Sequence, residues 1–188
     1  MYLNDYLKQD LISKLKELSY PDYVDYLYKN YYAIWNGTEF YIKKIRPLLF
    51  KKYRQYRKTR PKVAPPPLKN FQLVVYGVLN QINTVQALLF YKGKQIGVAK
   101  LEKFSKLTNP EHDYHKNLEN YIFIFYIEVS EFKNKGKGFG KLFYKLILKY
   151  VKSKGYKGLA SDNYNRSPVA DRVWINIKKK IGKYKIME

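Results

Sequence analysis

Val129-Ser130-Glu131-Phe132-Lys133-Asn134-Lys135-Gly136-Lys137-Gly138-Phe139-Gly140-Lys141-Leu142 joins two segments of different periodicity. Upstream, Tyr121 to Val129 is a nearly unbroken apolar run of strand length. Downstream, Leu142 to Val151 repeats apolar residues at helical spacing. A strand that turns through glycines into a helix presents free backbone N–H groups at the positive end of a dipole, which is how a fold holds a phosphate without an enclosing cage. Gly136, Gly138 and Gly140 let the backbone approach a ligand that a Cβ would push away. Lys135, Lys137 and Lys141 add positive charge on the same rim. A lysine-rich turn before a surface helix is the plainer reading, and glycine spacing alone does not exclude it.

Read further outward, the stretch resembles the signature of the GNAT (GCN5-related) N-acetyltransferases, Arg/Gln-x-x-Gly-x-Gly/Ala after a strand and before a helix. Lys135-Gly136-Lys137-Gly138-Phe139-Gly140 is similar to that motif, with lysine at its first position. Val129 followed by Phe132-Lys133 looks like the family's strand end and aromatic-basic pair. Lys141 to Lys154 resembles its third helix, and Gly155-Tyr156-Lys157-Gly158-Leu159-Ala160 the start of its fifth strand.

The resemblance implies a GNAT-like α+β or α/β domain, a central mixed, mostly antiparallel sheet flanked by helices. It also implies acetyl-CoA or another acyl-CoA as cofactor and transfer of the acyl group to an amine acceptor. The pyrophosphate would rest on the backbone of Lys135 to Lys141. The pantetheine arm would pair with the end of Tyr121 to Val129 through Ile127 and Val129.

An amine nucleophile is mostly protonated near neutral pH, so a base must take its proton. Glu128 stands alone in Ile122-Phe123-Ile124-Phe125-Tyr126-Ile127-Glu128-Val129, where partial desolvation would make it a stronger base. A solvent-facing or lysine-paired carboxylate is the competing reading. The family's fourth helix often carries Asn-x-x-Ala-x-x-x-Tyr, whose tyrosine reprotonates the CoA thiolate. Ser167 to Trp174 places Ala170 correctly but puts Trp174 where the tyrosine would be, and an indole cannot protonate a thiolate. Tyr164 is the candidate substitute.

Charge is the second informative feature. Lysine and arginine number 37 against 15 acidic residues, a net +22, and Phe40 to Leu101 contains no Asp or Glu. Lys43, Lys44, Lys51, Lys52, Arg54, Arg57, Lys58 and Arg60 concentrate in one segment, with Tyr53 and Tyr56 interleaved. Concentrated charge of one sign points to nucleic acid or another polyanion, with phosphates gripped by the cations and bases stacked on the tyrosines. A solvated basic face is the alternative.

Punctuation sets the organisation. Residues 1–60 read as a basic helical segment, 61–69 as a proline-rich connector, and 70–188 as the acyl-CoA-binding domain. Leu3, Leu7, Leu11, Leu15 and Leu18 mark a first helix, and Pro21 suits the first turn of a second. Glu39 to Ile45 is expected as a short strand and Arg46 to Arg60 as a helix. Phe71–Asn80, Val85–Tyr91 and Gln95–Phe104 are expected as strands, the last two joined by a tight turn at Lys92-Gly93-Lys94. Arg166 to Lys180 is expected as the last helix.

The chain has 188 residues, 46% of them hydrophobic, enough for one sizeable core. It has no cysteine, which excludes disulfides, thiolate metal sites and a thiol nucleophile. Glu111, His112, Asp113 and His115 lack a second cluster, so no metal site is expected. No run approaches the roughly 20 apolar residues of a membrane helix, and Met1 to Asp5 lacks a signal-peptide pattern, so a cytoplasmic protein is the expectation. Two function classes stand: an acyl-CoA-dependent N-acyltransferase, or a catalytically inactive protein of the same fold that serves as a basic nucleic-acid-binding or assembly protein.

Overall fold

In the computed structural model, which describes residues 4–30, 39–59, 67–79, 81–103, 118–129, 138–162, 166–181 and 184–188, Asn4 opens the first helix. Its side-chain oxygen accepts from the Leu7 N–H at 2.9 Å, capping α1 (Asp5–Glu17). Ser19 starts α2 (Tyr20–Asn30), its carbonyl accepting from the Tyr23 N–H at 2.9 Å. These helices pack with α3 (Arg46–Thr59) around Leu11, Leu15, Tyr20, Tyr23, Val24, Leu27, Ile45, Leu49 and Tyr53.

Glu39 to Ile45, expected as a strand, is helical, with a π-turn over Tyr41–Ile45 that leads into α3. A strand would place Lys43 on one face with Tyr41 and Ile45. The helix instead buries Tyr41, Ile45, Leu49 and Tyr53 at a spacing of four, and sends Lys43 outward to Glu39 at 3.1 Å.

A buried ion cluster fixes this helical unit. Arg46 Nε donates to Asp171 Oδ2 at 2.6 Å, and a second Arg46 nitrogen donates to Oδ1. Arg166 Nε lies 3.6 Å from the same carboxylate, and all three side chains are buried. Arg172 lies over the rings of Tyr20 and Tyr53, 5.4 and 5.6 Å from their centroids. The chain thus divides into two compact units, Met1–Lys62 with Tyr164–Arg172, and Val63–Asn163 with Val173–Glu188.

The second unit is a seven-stranded sheet. Its strands are β1 (Phe71–Tyr76), β2 (Thr84–Tyr91), β3 (Lys94–Lys103), β4 (Tyr121–Val129), β5 (Gly158–Ser161), β6 (Lys179–Ile181) and β7 (Tyr184–Met187), in the order β1-β2-β3-β4-β5-β7-β6. Every neighbouring pair is antiparallel except β4 with β5. This is the mixed, mostly antiparallel arrangement that the resemblance implied. Lys92 and Gly93, with φ of 49° and 78°, make the two-residue turn between β2 and β3.

α4 (Phe139–Ser153) connects β4 to β5 and buries Phe139, Phe143, Tyr144, Ile147 and Val151 on one face of the sheet. Each such side chain contributes about 1.5–3 kcal/mol of apolar burial. Leu118, Tyr121, Ala160, Tyr184 and Ile186 form a second cluster.

The last expected helix is shorter than its pattern. α5 spans Pro168–Asn176, started by Ser167, whose hydroxyl accepts from the Ala170 N–H at 3.1 Å. The chain then turns into β6 and β7 instead of continuing as helix to Lys180. β7 lies between β5 and β6, and all four of its residues are buried, so the alternation that marks a half-exposed strand is missing from its sequence.

Candidate active site: a parted strand pair beside a helix N-terminus

β4 pairs with β3 along its length, from Lys103↔Ile122 to Gly97↔Val129. Its pairing with β5 stops at Phe123↔Ala160. Beyond that point the strands part, and Ile124 to Val129 have no strand neighbour on the β5 side among the described residues. An unpaired edge within a sheet leaves N–H and C=O groups that need a partner.

A bulge decides which groups face which way. Lys100 opposes Tyr126 and Leu101 opposes Ile124, so Phe125 is an extra residue in β4. Before the bulge, Ile122 and Ile124 belong to the cluster under α4; after it, Ile127 and Val129 do. Tyr126 and Glu128 therefore occupy the opposite, open face, and both are exposed. Glu128 accepts a hydrogen bond from the Tyr126 hydroxyl. The expected desolvation of Glu128 is absent, because the bulge turns its carboxylate out of the core.

Gly97 sets how closely β3, β4 and α4 approach one another. A Cβ there would stand 3.0 Å from the Glu128 carbonyl oxygen and 3.1 Å from Phe143 Cε1. The Glu128 carbonyl therefore points toward β3, and alternation along the strand sends the N–H and C=O of Ile127 and Val129 to the opposite, unpaired edge. Phe143, one turn into α4, brings the start of that helix alongside the end of β4.

That helix start presents backbone N–H groups without intrahelical partners. Gly138, at φ 84°, is the cap residue and has no side chain with which to cap the helix. The first intrahelical bond runs from the Leu142 N–H to the Gly138 oxygen at 3.0 Å, so the N–H groups of Phe139, Gly140 and Lys141 have no intrahelical acceptor. The first turn contains no acidic residue, and Lys141 is exposed beside it. The Phe139 side chain is an anchor, its ring packed 5.1 Å from Phe71 and 5.2 Å from Tyr91, which leaves its backbone N–H as the group at the helix start. Around a Cβ built on Gly140 no described atom lies within 4 Å. Among the described residues the glycine there answers neither to packing nor to a positive φ, and it leaves the backbone open to approach.

The structure thus brings together Ile127, Glu128, Val129, Gly138, Phe139, Gly140 and Lys141. Lys135, Gly136, Lys137 and Tyr164 lie outside the described residues, as do Arg60, His112 and His115. Trp174 is fully buried, its ring edge-on to Tyr144 at 5.6 Å, and serves the core. The contributions of Phe125, as the bulge, and Tyr126, as the partner of Glu128, escaped sequence reading. The adjacent aromatics Phe125-Tyr126, which break the alternation of the run, were the available signal.

The basic residues divide. Lys52 Nζ donates to the Leu15 carbonyl at 2.7 Å, neutralising the C-terminal end of α1, and Lys43 pairs with Glu39. Arg57 is engaged within the protein. Lys44, Lys51, Arg54 and Lys58 are exposed. Tyr53 is buried, and Tyr56 stacks on Tyr20 at 5.6 Å, so neither ring is a platform for a base as the sequence suggested.

No family model matches the chain, and no curated protein matches it. Among solved structures it is similar to the PaiA N-acetyltransferase of Thermoplasma acidophilum in complex with coenzyme A: 15% identity, TM-score 0.42, covering 95% of this chain and 91% of that one. It is similar to the IAA acetyltransferase of Bacillus cereus ATCC 14579 at 17% identity and TM-score 0.39, covering 56% of this chain and 75% of that one. A protein of Bacillus anthracis str. Ames described as a streptothricin acetyltransferase, in complex with acetyl coenzyme A, matches at 13% identity and TM-score 0.39, covering 65% and 87%. Overlap of this extent leaves the chemistry to the residues themselves.

Proposed function

We propose that this chain is an acyl-CoA-dependent N-acyltransferase, with acetyl the simplest acyl group. One observation carries the reading: β4 and β5 part beside a helix N-terminus that opens on a glycine, and where a Cβ on Gly140 would meet no described atom. The donor set fits the ligand. The amides of Phe139, Gly140 and Lys141 suit a diphosphate, and the free edge at Ile127 and Val129 suits an amide-bearing arm. When bound, acyl-CoA supplies an acyl group activated as a thioester.

Glu128 holds the base position. Its carboxylate stands on the open face, oriented by the Tyr126 hydroxyl, where it can take the proton of an incoming ammonium directly or through one water. Tyr164 is the proposed general acid, since Trp174 cannot serve. An acceptor carried on nucleic acid would suit the charge of +22 better than a free polycation would.

Isothermal titration calorimetry with acetyl-CoA tests the cradle, and absence of measurable binding sinks the reading. Glu128→Gln is expected to lower kcat by about a hundredfold while leaving acetyl-CoA affinity unchanged, the low end of the general-base range. The buried Trp174 favours a second reading, a scaffold without turnover. Acetyl-CoA binding with no transfer to any amine tested would support it.

A further inference from the structure

We propose that the solvent face of α3 binds the phosphate backbone of double-stranded nucleic acid, without reading bases. Lys51, Arg54 and Lys58 follow one another at i, i+3 and i+7, which places them on one side of the helix over about 10 Å. Lys44 precedes Lys51 by seven residues. The buried face of Ile45, Leu49 and Tyr53 lies opposite.

The helix sorts its cations by use. Arg46 belongs to the buried carboxylate of Asp171, Lys52 to the α1 carbonyls, and Lys43 to Glu39. Lys44, Lys51, Arg54 and Lys58 are left with no acidic partner among the described residues, and no Asp or Glu occurs between Phe40 and Leu101 to provide one. Like charges three and four residues apart destabilise a helix by about 0.2–0.5 kcal/mol per pair. Lys58 gains from the C-terminal end of the helix, whereas Lys51 and Arg54 have no acidic neighbour among the described residues to offset that cost; a row of phosphates would.

The partner's form follows from the tyrosines. Tyr53 and Tyr56 are occupied with Tyr20, so this face offers no stacking platform for unpaired bases. A cationic row without aromatics grips a backbone and gains nothing from single strands. Exposed Leu48 and the shallow depression of about 190 Å³ between α1 and α3, lined by Ile12, Leu15 and Lys51, make an anionic membrane the competing partner.

Fluorescence anisotropy of a short labelled duplex, titrated at several salt concentrations, tests the proposal. The variant with Lys44, Lys51, Arg54 and Lys58 all changed to Gln is compared with one in which Lys145, Lys149, Lys152 and Lys154 of the α4 region are changed to Gln, so both lose the same charge. Circular dichroism checks that both fold. The α3 variant is expected to bind at least about tenfold more weakly, and its slope of log affinity against log salt to be shallower by about 3.6, four phosphates' worth. The α4 variant is expected to stay near wild type. Equal losses in both variants would reduce the effect to overall charge and overturn the proposal. So would tighter binding to single strands than to duplex, or to phosphatidylserine vesicles than to either. Acetyl-CoA binding is independent of every arm, so failure here leaves the acyltransferase reading standing.

Discussion

Glycine in the first turn of a helix costs up to about 1 kcal/mol relative to alanine unless its Cβ space or its φ is needed. At Gly140 neither holds among the described residues. Gly140→Ala is therefore expected to leave the melting temperature unchanged or raise it, while weakening acetyl-CoA at least about tenfold, a loss of about 1.4 kcal/mol. Melting and calorimetry on one sample separate the two effects. A variant that binds acetyl-CoA normally would show that the empty space has no ligand. Asp171 is the opposite kind of residue, used up entirely by the fold. Asp171→Ala strands buried Arg46 and Arg166 without their carboxylate and should cost about 3–5 kcal/mol in denaturant unfolding. A loss below about 1 kcal/mol would mean the arginines find water or another partner.

Elements behave as units where a single contact sets their spacing. Gly97 lets β3 approach the Glu128 carbonyl and Phe143 of α4 at distances a methyl group would crowd. Gly97→Ala is expected to destabilise by about 1–3 kcal/mol, as overpacking does, and to lower acetyl-CoA affinity by moving α4 away from the strand end. Destabilisation with unchanged affinity would separate acetyl-CoA binding from this contact. The β4 bulge matters as much. One extra residue, Phe125, exchanges the faces of everything after it, so Glu128 meets solvent while Ile127 and Val129 stay beneath α4. The apolar run shows that a strand exists and that its carboxylate is unusual. It does not show which side that carboxylate takes, because the bulge is a property of pairing with β3. The strand expected at Glu39 to Ile45 failed for a related reason: short apolar-basic segments fit either period, and packing against α1 and α2 chose the helix.

Across the sheet unit, burial raises the pKa of Tyr121, Tyr150, Tyr156 and Tyr184 above the ordinary tyrosine value. Glu188 adds to the effect at Tyr121, Tyr150 at Tyr156 and Asp162 at Tyr184. A raised folded pKa means the neutral phenol is favoured by folding. The resulting stability is fully present below about pH 10 and declines as pH rises through the raised values. Ultraviolet titration should show a late-ionising class of tyrosines, and urea midpoints should fall over the same alkaline range. Ionisation of all 21 tyrosines in one step near the ordinary value would contradict this. The sequence by itself determined the strand and the helix on either side of the glycine motif, the helices of the first segment, the hairpin at Lys92-Gly93 and the basic character of α3. Each of these depends on neighbours in the chain, through periodicity, φ preference and charge. Only the tertiary structure decided that β4 and β5 part after Phe123, that Glu128 is exposed, that Arg46 and Asp171 meet across 125 residues, and that β7 enters the sheet beside β5. Those outcomes depend on which distant surfaces bury one another, and local patterns hold no record of that.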